Sequence, residues 1–461
     1  MRSRRPVPEG QVNDERARDA LTLAEAALAH ALREGVTEAE ALVMAEDSAL
    51  TRFANSEIHQ NVAETSVMVN LRVVVGKRVG VASSDRTDDE GLRRLAANAA
   101  AIARVVEELD DWGGLPSPSV IGDLPAAYSG ITAGASPEFR AEAVRAVIAA
   151  ADEAGVTAYG SFATGLESTA IANSHGARAA GTRTTSSLVT VSMGPGGGTG
   201  YAEAAAVDAS TIDAAAIGRE AAGKARTTAN ATSIQPGDYP VVLEEYAVVD
   251  LLHMLGYLGF SALAVQEERS FVEPGKRIGS DLVTIIDDGY DPDGLPLWFD
   301  YEGVAKQRVS LIERGICRDV VYDAQTAARA GTTSTGHGLP APNPYGPFPL
   351  NMVMAAGTSS REELIGGLGR GLLVTRFHYT NPVHPKLAIV TGMTRDGTFL
   401  VEDGRIVGPV KNLRYTQSYL AALAGTVAVG RERRTLKGDL GGVVVPAVRI
   451  DNWTFTGGTE H

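Results

Sequence analysis

Pro240-Val-Val-Leu-Glu244-Glu245-Tyr246-Ala-Val-Val-Asp250 is the stretch around which the chain is organised. Gly237-Asp238-Tyr239-Pro240 leads into a short apolar run, and from Glu244 onward the residues read as a helix, Glu245–Leu258. Glu244 and Glu245 fall at its start, where the positive end of a helix favours carboxylates. Just upstream, Ser233-Ile-Gln-Pro-Gly-Asp238 is turn chemistry and marks the best domain boundary.

Working outward, residues 1–13 are expected to be disordered. Asp14–Glu34 carries Ala17, Leu21, Ala24, Leu28 and Leu32 at helical spacing and stops at Gly35. Ala41–Asp47 and Thr51–Phe53 read as strands. Thr65–Val75 alternates over a long stretch, turns at Gly76-Lys77 and returns through Arg78–Ser83. Asp88–Leu109 is an alanine-rich helix. Pro116–Pro137 is rich in Pro, Gly and Ser and reads as a linker. Beyond it lie a helix at Phe139–Ala154, short strands at 158–162, 167–172, 177–184 and 187–193, and a helix at Ala209–Arg226. Residues 14–110 and 137–226 have similar element orders, which suggests a structural duplication.

The fold class expected is α+β. A domain of helices packed on antiparallel strands spans 14–235, with a subdivision near 116–137. A strand-rich domain spans 236–461. Within the latter, further helices are expected at Ser310–Gly315, Tyr322–Ala330, Ser360–Leu368 and Thr416–Val429. A hairpin is expected about Asp403-Gly404, an Asp-Gly turn between apolar runs.

Composition narrows the function classes. Of 461 residues, 44% are hydrophobic and 21% charged, the profile of an ordinary globular protein. The formal net charge of -14 repels phosphate backbones, so no nucleic-acid partner is expected, although a mildly cationic one suits the surface. One cysteine, Cys317, excludes an intrachain disulfide and fits a reducing cytoplasm. No apolar run approaches the ~18 residues of a membrane span.

The order of several segments carries more information than any one of them. Gly275-Lys-Arg-Ile-Gly279, Val283-Thr-Ile-Ile-Asp287-Asp288-Gly289, Asp300-Tyr-Glu302-Gly-Val304, Thr332-Thr-Ser-Thr-Gly336 and Asn381-Pro-Val383 follow the central helix. Asn55-Ser-Glu-Ile-His-Gln-Asn61 precedes it, and Pro409-Val-Lys-Asn412 follows the hairpin. This order, over about residues 40–455, resembles the TldD/PmbA (TldE) family of peptidase subunits, once called modulators of DNA gyrase. In that family the TldD type carries His-Glu-x-x-x-His on this helix, and the matching slots here hold Glu245, Tyr246 and Asp250. The region matching its C-terminal cysteine, Lys437–Pro446, has no cysteine.

The resemblance implies a TldE-like subunit with no catalytic residue and no metal of its own. No cofactor is expected in this chain, with zinc in the partner. The partner would be a TldD-type homologue bearing His-Glu-x-x-x-His, and the substrate an unfolded peptide, in peptide maturation or proteolysis. A homodimer is the form open to the chain when that partner is absent. Two other readings stand beside this one. The first is a homodimeric hydrolase that uses Glu245, Asp250 and His253 on a harder cation such as Mg²⁺ or Mn²⁺. The second is a regulatory binding protein with no hydrolase role.

The remaining polar motifs are read as structural or as lining a cleft: Asp287, Asp288, Asp300, Glu302, His337 and Asn381. Asp287-Asp288-Gly289 is ordinary turn chemistry after a strand. Met193–Gly200 is glycine-rich, but it lacks the Gly-Lys-Ser/Thr of a phosphate cradle and reads as a loop.

Overall fold

The computed structural model describes residues 9–122, 127–438 and 441–458. The segment expected to be disordered lies partly outside these residues. Within them the first helix, α1 (Glu9–Arg33), begins ahead of Asp14. It is followed by β1 (Glu38–Ala54), β2 (Glu57–Val75), β3 (Arg78–Ser84) and α2 (Asp89–Val105). After a short helix, α3 (Gly130–Ala133), the same order recurs: α4 (Pro137–Glu153), β4 (Thr157–Asn173), β5 (Arg178–Met193), β6 (Thr199–Ala206) and α5 (Ala214–Thr227).

The two units share one sheet, in the order β3-β2-β1-β4-β5-β6. Antiparallel pairing of β1 with β4, from Glu40 opposite Asn173 to Phe53 opposite Gly160, joins them. Alternation explains which face is covered. Val69, Leu71 and Val73 of β2 are buried with Ala24, Ala27 and Leu28 of α1 and with Ala96 and Ala99 of α2. Small residues let the helices lie close. A side chain at Gly80 of β3 would meet the Ala99 carbonyl at 2.3 Å. In the second unit Val144, Val147 and Ala221 pack on Phe162 and Leu188. Side chains cap the starts of α2 and α4. Asp88 accepts from the Gly91 amide at 3.1 Å, and Ser136, ahead of Pro137, accepts from Phe139 at 3.2 Å.

The strands read as separate pieces at 41–53, 158–172 and 177–193 are single long strands. Polar residues that look like interruptions in the sequence find partners across the sheet. Ser168 Oγ, for example, lies 2.9 Å from Thr182 Oγ1.

The second half is built on β7 (Gly237–Leu243), which leads directly into α6 (Glu245–Leu258). There follow α7 (Ala262–Gln266), β8 (Ile285–Asp287), β9 (Val309–Glu313), β10 (Ile316–Cys317), α8 (Ala324–Ala330), β11 (Met352–Met354) and α9 (Arg361–Gly366). The chain ends with β12 (Arg370–His384), β13 (Ile389–Glu402), β14 (Arg405–Pro409), β15 (Leu413–Ser418), α10 (Tyr419–Ala424), β16 (Thr426–Lys437) and β17 (Gly442–Gly458). These strands form one mixed sheet. β7 lies inside it, parallel to β12 and antiparallel to β17. That position accounts for the run Val241-Val242-Leu243, which is buried on both faces.

α6 packs its Leu251, Leu252 and Leu255 into the largest core. That core also holds a ring cluster in which Phe377 lies 4.6 Å from Tyr415 and 5.0 Å from Trp453. The architecture is α+β, an antiparallel sheet with helices followed by a large strand-rich mixed sheet. Among the described residues no helix is long and apolar enough to cross a membrane.

Two of the expected helices differ from the structure, one being strand and the other much shorter. Ser310–Gly315 belongs to β9 and its turn, where Arg314 and Gly315 both take positive φ, 47° and 74°. Pairing with β8 overrides the local preference there. Thr416–Val429 divides into the end of β15, the six-residue α10 and the start of β16, and Gly425 closes the helix. The Asp403-Gly404 turn joins β13 to β14 as read, with φ of 48° and 72°.

Candidate functional site

The start of α6 is crowded with cations. Glu244, buried at the N-cap, accepts from Lys224 Nζ of α5 at 2.6 Å and from Arg361 of α9. Burial alone would raise its pKa, but the two cations outweigh it and hold the carboxyl at about 2. Lys224 also reaches Glu220 at 2.8 Å. Arg434 of β16 donates to the Tyr246 hydroxyl at 2.7 Å and to Glu220 at 2.7 Å, and its Nε lies 3.8 Å from Glu245. The Tyr246 hydroxyl in turn donates to Glu220 at 3.1 Å and accepts from the Glu203 amide at 3.2 Å. The Lys224 ammonium lies 5.0 Å from the centre of the Tyr246 ring. Burial pushes the Glu245 carboxyl up and the Tyr246 phenol well up.

Asp250, further along the helix, has a different environment. Its carboxylate accepts from Thr380 Oγ1 at 2.8 Å and from the Tyr419 hydroxyl at 3.3 Å. Burial raises its pKa to about 6. The three slots of the helix motif therefore do not converge. Glu245 and Tyr246 turn to Arg434, and Asp250 turns to hydroxyls from β12 and α10.

Asp250 opens onto a cleft of about 610 Å³, walled by Met254, Tyr257, Tyr345 and Phe348, with Thr380 beside it. Asp250 also borders a smaller cavity of about 220 Å³, lined with it by Tyr201, Glu203, Arg376 and Lys437. His253 borders both cavities, and a side chain at Gly438 would meet its Nε2 at 2.9 Å. Asp439 and Leu440, in the region matching the family cysteine, lie outside the described residues.

The other motif residues gather elsewhere. Asp287 at the end of β8 is fully buried and accepts from Lys306 Nζ at 2.9 Å, from the Asn351 amide at 2.7 Å and from His337 Nε2 at 2.7 Å. His337 Nδ1 lies 2.9 Å from Thr335 Oγ1, so a neutral ring with its proton on Nε2 satisfies both contacts. Burial and then Lys306 lower the imidazole pKa. Burial opposes ionisation of Asp287, but Lys306 and His337 hold its carboxyl well below the usual range.

Asp288 accepts from the Tyr290 amide at 2.9 Å in the turn. Asp300 accepts from the amides of Glu302, Val304 and Gly338, and burial followed by the Glu302 charge pushes its carboxyl up. Glu302 meets Arg72 of β2 at 3.0 Å, and Arg72 meets Glu40 of β1 at 2.8 Å. This trio fastens the first sheet to the second domain. None of these residues borders the two cavities beside α6. Asn381 is exposed on β12 and donates to the Tyr379 carbonyl at 2.8 Å.

A zinc ion needs imidazole or thiolate donors that converge in an open geometry. The motif positions offer one carboxylate beside a guanidinium, a phenol bonded to the same guanidinium, and a carboxylate bonded to two hydroxyls. This donor set does not fit Zn²⁺. Among the described residues no three His, Cys, Asp or Glu side chains group as a ligand set.

Lys224, Arg361, Thr380 and Arg434 escaped the sequence reading because each comes from a different element, far from α6 in the chain.

Family models match nearly all of this architecture. The PmbA/TldA metallopeptidase C-terminal domain matches 236–457, domain 1 matches 39–103 and the central domain matches 132–228. The Haemophilus influenzae metalloprotease TldD homolog is 28% identical over 263 residues, 52% of this chain and 53% of the relative. The Escherichia coli O157:H7 metalloprotease PmbA is 26% identical over 218 residues, 46% of this chain and 45% of the relative. These alignments thus span about half the length of each relative. In fold, the crystal structure of TldE from Thermococcus kodakarensis superposes with a TM-score of 0.86 at 22% identity, covering 94% of this chain and 99% of that one. A putative modulator of a DNA gyrase from Thermotoga maritima gives 0.83 at 20% identity, with 94% and 99% coverage. With three consecutive family models matched in order and the α6 geometry described, the chain belongs to the PmbA/TldD metallopeptidase family.

Proposed function

We propose that this chain is the TldE-like, non-metal subunit of a heterodimeric metallopeptidase, and that it binds unfolded peptides which a zinc-bearing TldD-type partner cuts. The observation that carries the reading is the chemistry at the motif slots of α6. The guanidinium of Arg434 sits against Glu245 and Tyr246, the two slots where the TldD type has a zinc ligand and the catalytic glutamate. A cation built into that place opposes binding of a second one. A fold that keeps the cleft but not the ligands makes sense when another chain supplies them. The buried single cysteine accords with a cytoplasmic setting.

Co-expression with a homologue bearing His-Glu-x-x-x-His tests the proposal. A 1:1 complex on size exclusion is expected, burying an obligate-type interface of order 2,000 Å² or more. Hydrolysis of unfolded peptides should need both chains and stop with a chelator. The isolated chain should hold no stoichiometric zinc by elemental analysis. Hydrolysis by this chain alone, at a rate the homologue does not change, would leave the homodimeric carboxylate-metal hydrolase as the better account.

A further inference from the structure

We propose that the cleft beside α6 is a cation-recognition pocket, in which Asp250 and a cage of aromatic side chains hold the ammonium or guanidinium of a bound peptide. The proposal rests on the peptide-binding part of the reading above, but it needs no partner chain.

Charge is the first argument. Asp250 lines the cleft and is bonded only to the hydroxyls of Thr380 and Tyr419 among the described residues. The other carboxylates at the motif helix are answered by cations: Glu244 by Lys224 and Arg361, Glu245 by Arg434. The cations of the adjoining cavity are occupied as well. Arg376 donates to Asp396 and stacks over the Tyr201 ring at 4.4 Å. Lys437 lies in the field of Glu46, Glu167 and Glu203. Arg376 acts on Asp250 through its field, but among the described residues no cation is bonded to that carboxylate, which leaves it a site for one in the cleft.

The walls are the second argument. Tyr257, Tyr345 and Phe348 line the cleft around Asp250, and Tyr345 is 61% exposed, so its ring is open to a ligand. Ring faces attract cations within about 6 Å, most strongly where water is excluded. The apolar stem of a lysine or arginine would lie along Met254 and Phe348 while its head meets Asp250. At about 610 Å³ the cleft has room for such a side chain together with its backbone. The overall charge of -14 would draw a cationic peptide toward the surface.

A peptide offers the same cationic chemistry at two places, its α-ammonium and its Lys or Arg side chains. Calorimetric titration of the full chain with three probes separates them. One is N-acetylated Gly-Gly-Lys-Gly-Gly-amide, the second is the same peptide with norleucine for lysine, and the third is the norleucine peptide with a free α-amine. At least one cationic probe should bind roughly tenfold more tightly than the acetylated norleucine peptide. A lead for the lysine probe assigns the side chain, and a lead for the free-amine probe assigns the α-ammonium. Asp250→Asn should abolish that preference. Tyr345→Leu, which leaves the Asp250 hydrogen bonds in place, should weaken the preferred probe several-fold and keep its order over the neutral one. Equal binding of all three probes by the unaltered chain would overturn the proposal, and so would a preference that survives Asp250→Asn. Failure of the subunit reading would appear instead in the co-expression experiment, which this titration does not involve.

Discussion

The two ends of the α6 motif hold carboxylates of opposite character. At the N-cap, Glu244 is buried between Lys224 and Arg361, and its pKa falls to about 2. At Asp250 the carboxylate is bonded among the described residues only by hydroxyls, and burial outweighs these and the field of Arg376 to carry its pKa up to about 6. Glu244 is buried outright, and Asp250 is half-buried at the wall of the cleft. What separates them is the countercharge that neighbouring elements bring. The N-terminal end is a closed structural knot, whereas the Asp250 end keeps a carboxylate facing a cleft with no bonded cation among the described residues.

The largest expected effect breaks the first half of that comparison. Glu244→Gln leaves Lys224 and Arg361 without their shared partner, and should lower the unfolding free energy by about 3 kcal/mol in urea titrations at pH 7. The pH dependence has a definite sign. The folded pKa of Glu244 lies below the ordinary 4.5, so its contribution is complete above about 4.5 and drains away as pH falls toward 2. The difference between variant and wild type should shrink over that window. A constant difference from pH 7 to pH 3 would mean the ion pairs are not its source.

Tyr246→Phe comes next. It removes the hydroxyl that Arg434, Glu220 and the Glu203 amide share, but keeps the ring beside Lys224. A loss of about 1–2 kcal/mol by thermal or urea unfolding is expected.

Asp250→Asn sharpens the second half. Asparagine keeps an acceptor for one hydroxyl and carries no charge to desolvate, so at pH 7 the net change should stay within about 1 kcal/mol. The sign is opposite to that of Glu244. The folded pKa of Asp250 lies above its ordinary 3.8, so its ionisation penalises folding increasingly as pH rises from about 4 through 6. Relative to wild type, the variant should be at its best at neutral pH and lose that advantage below about 4. An advantage that grows on acidification would contradict the assignment. The smallest effect is expected for Asn381→Ala. That side chain is exposed and bonds only its own strand, so unfolding should shift by no more than about 0.5 kcal/mol.

Pro240–Asp250 shows how far sequence could reach. The apolar run, the helix start at Glu245 and its end at Leu258 were readable because strand burial and helix dipole leave local marks. Long strands were read in fragments, and β9 was read as a helix, because cross-strand partners outweigh local preference and lie far away in the chain. The duplicated helix–strand–helix order of the first half was glimpsed in the element pattern, but the shared sheet that joins the copies through β1 and β4 required the tertiary structure.

By itself the sequence determined the α+β class, the family order of segments and the occupants of the helix slots, since residue identity and local periodicity suffice for these. Only the tertiary structure decided what those occupants meet. Lys224, Arg361 and Arg434 reach the start of α6 from three separate elements, whereas among the described residues only hydroxyls bond Asp250, with Arg376 acting through its field. Asp287 and His337, fifty residues apart, meet in one buried cluster with Lys306. The physical reason is that charge acts through space, at a few ångströms, between groups whose chain separation carries no information about their distance.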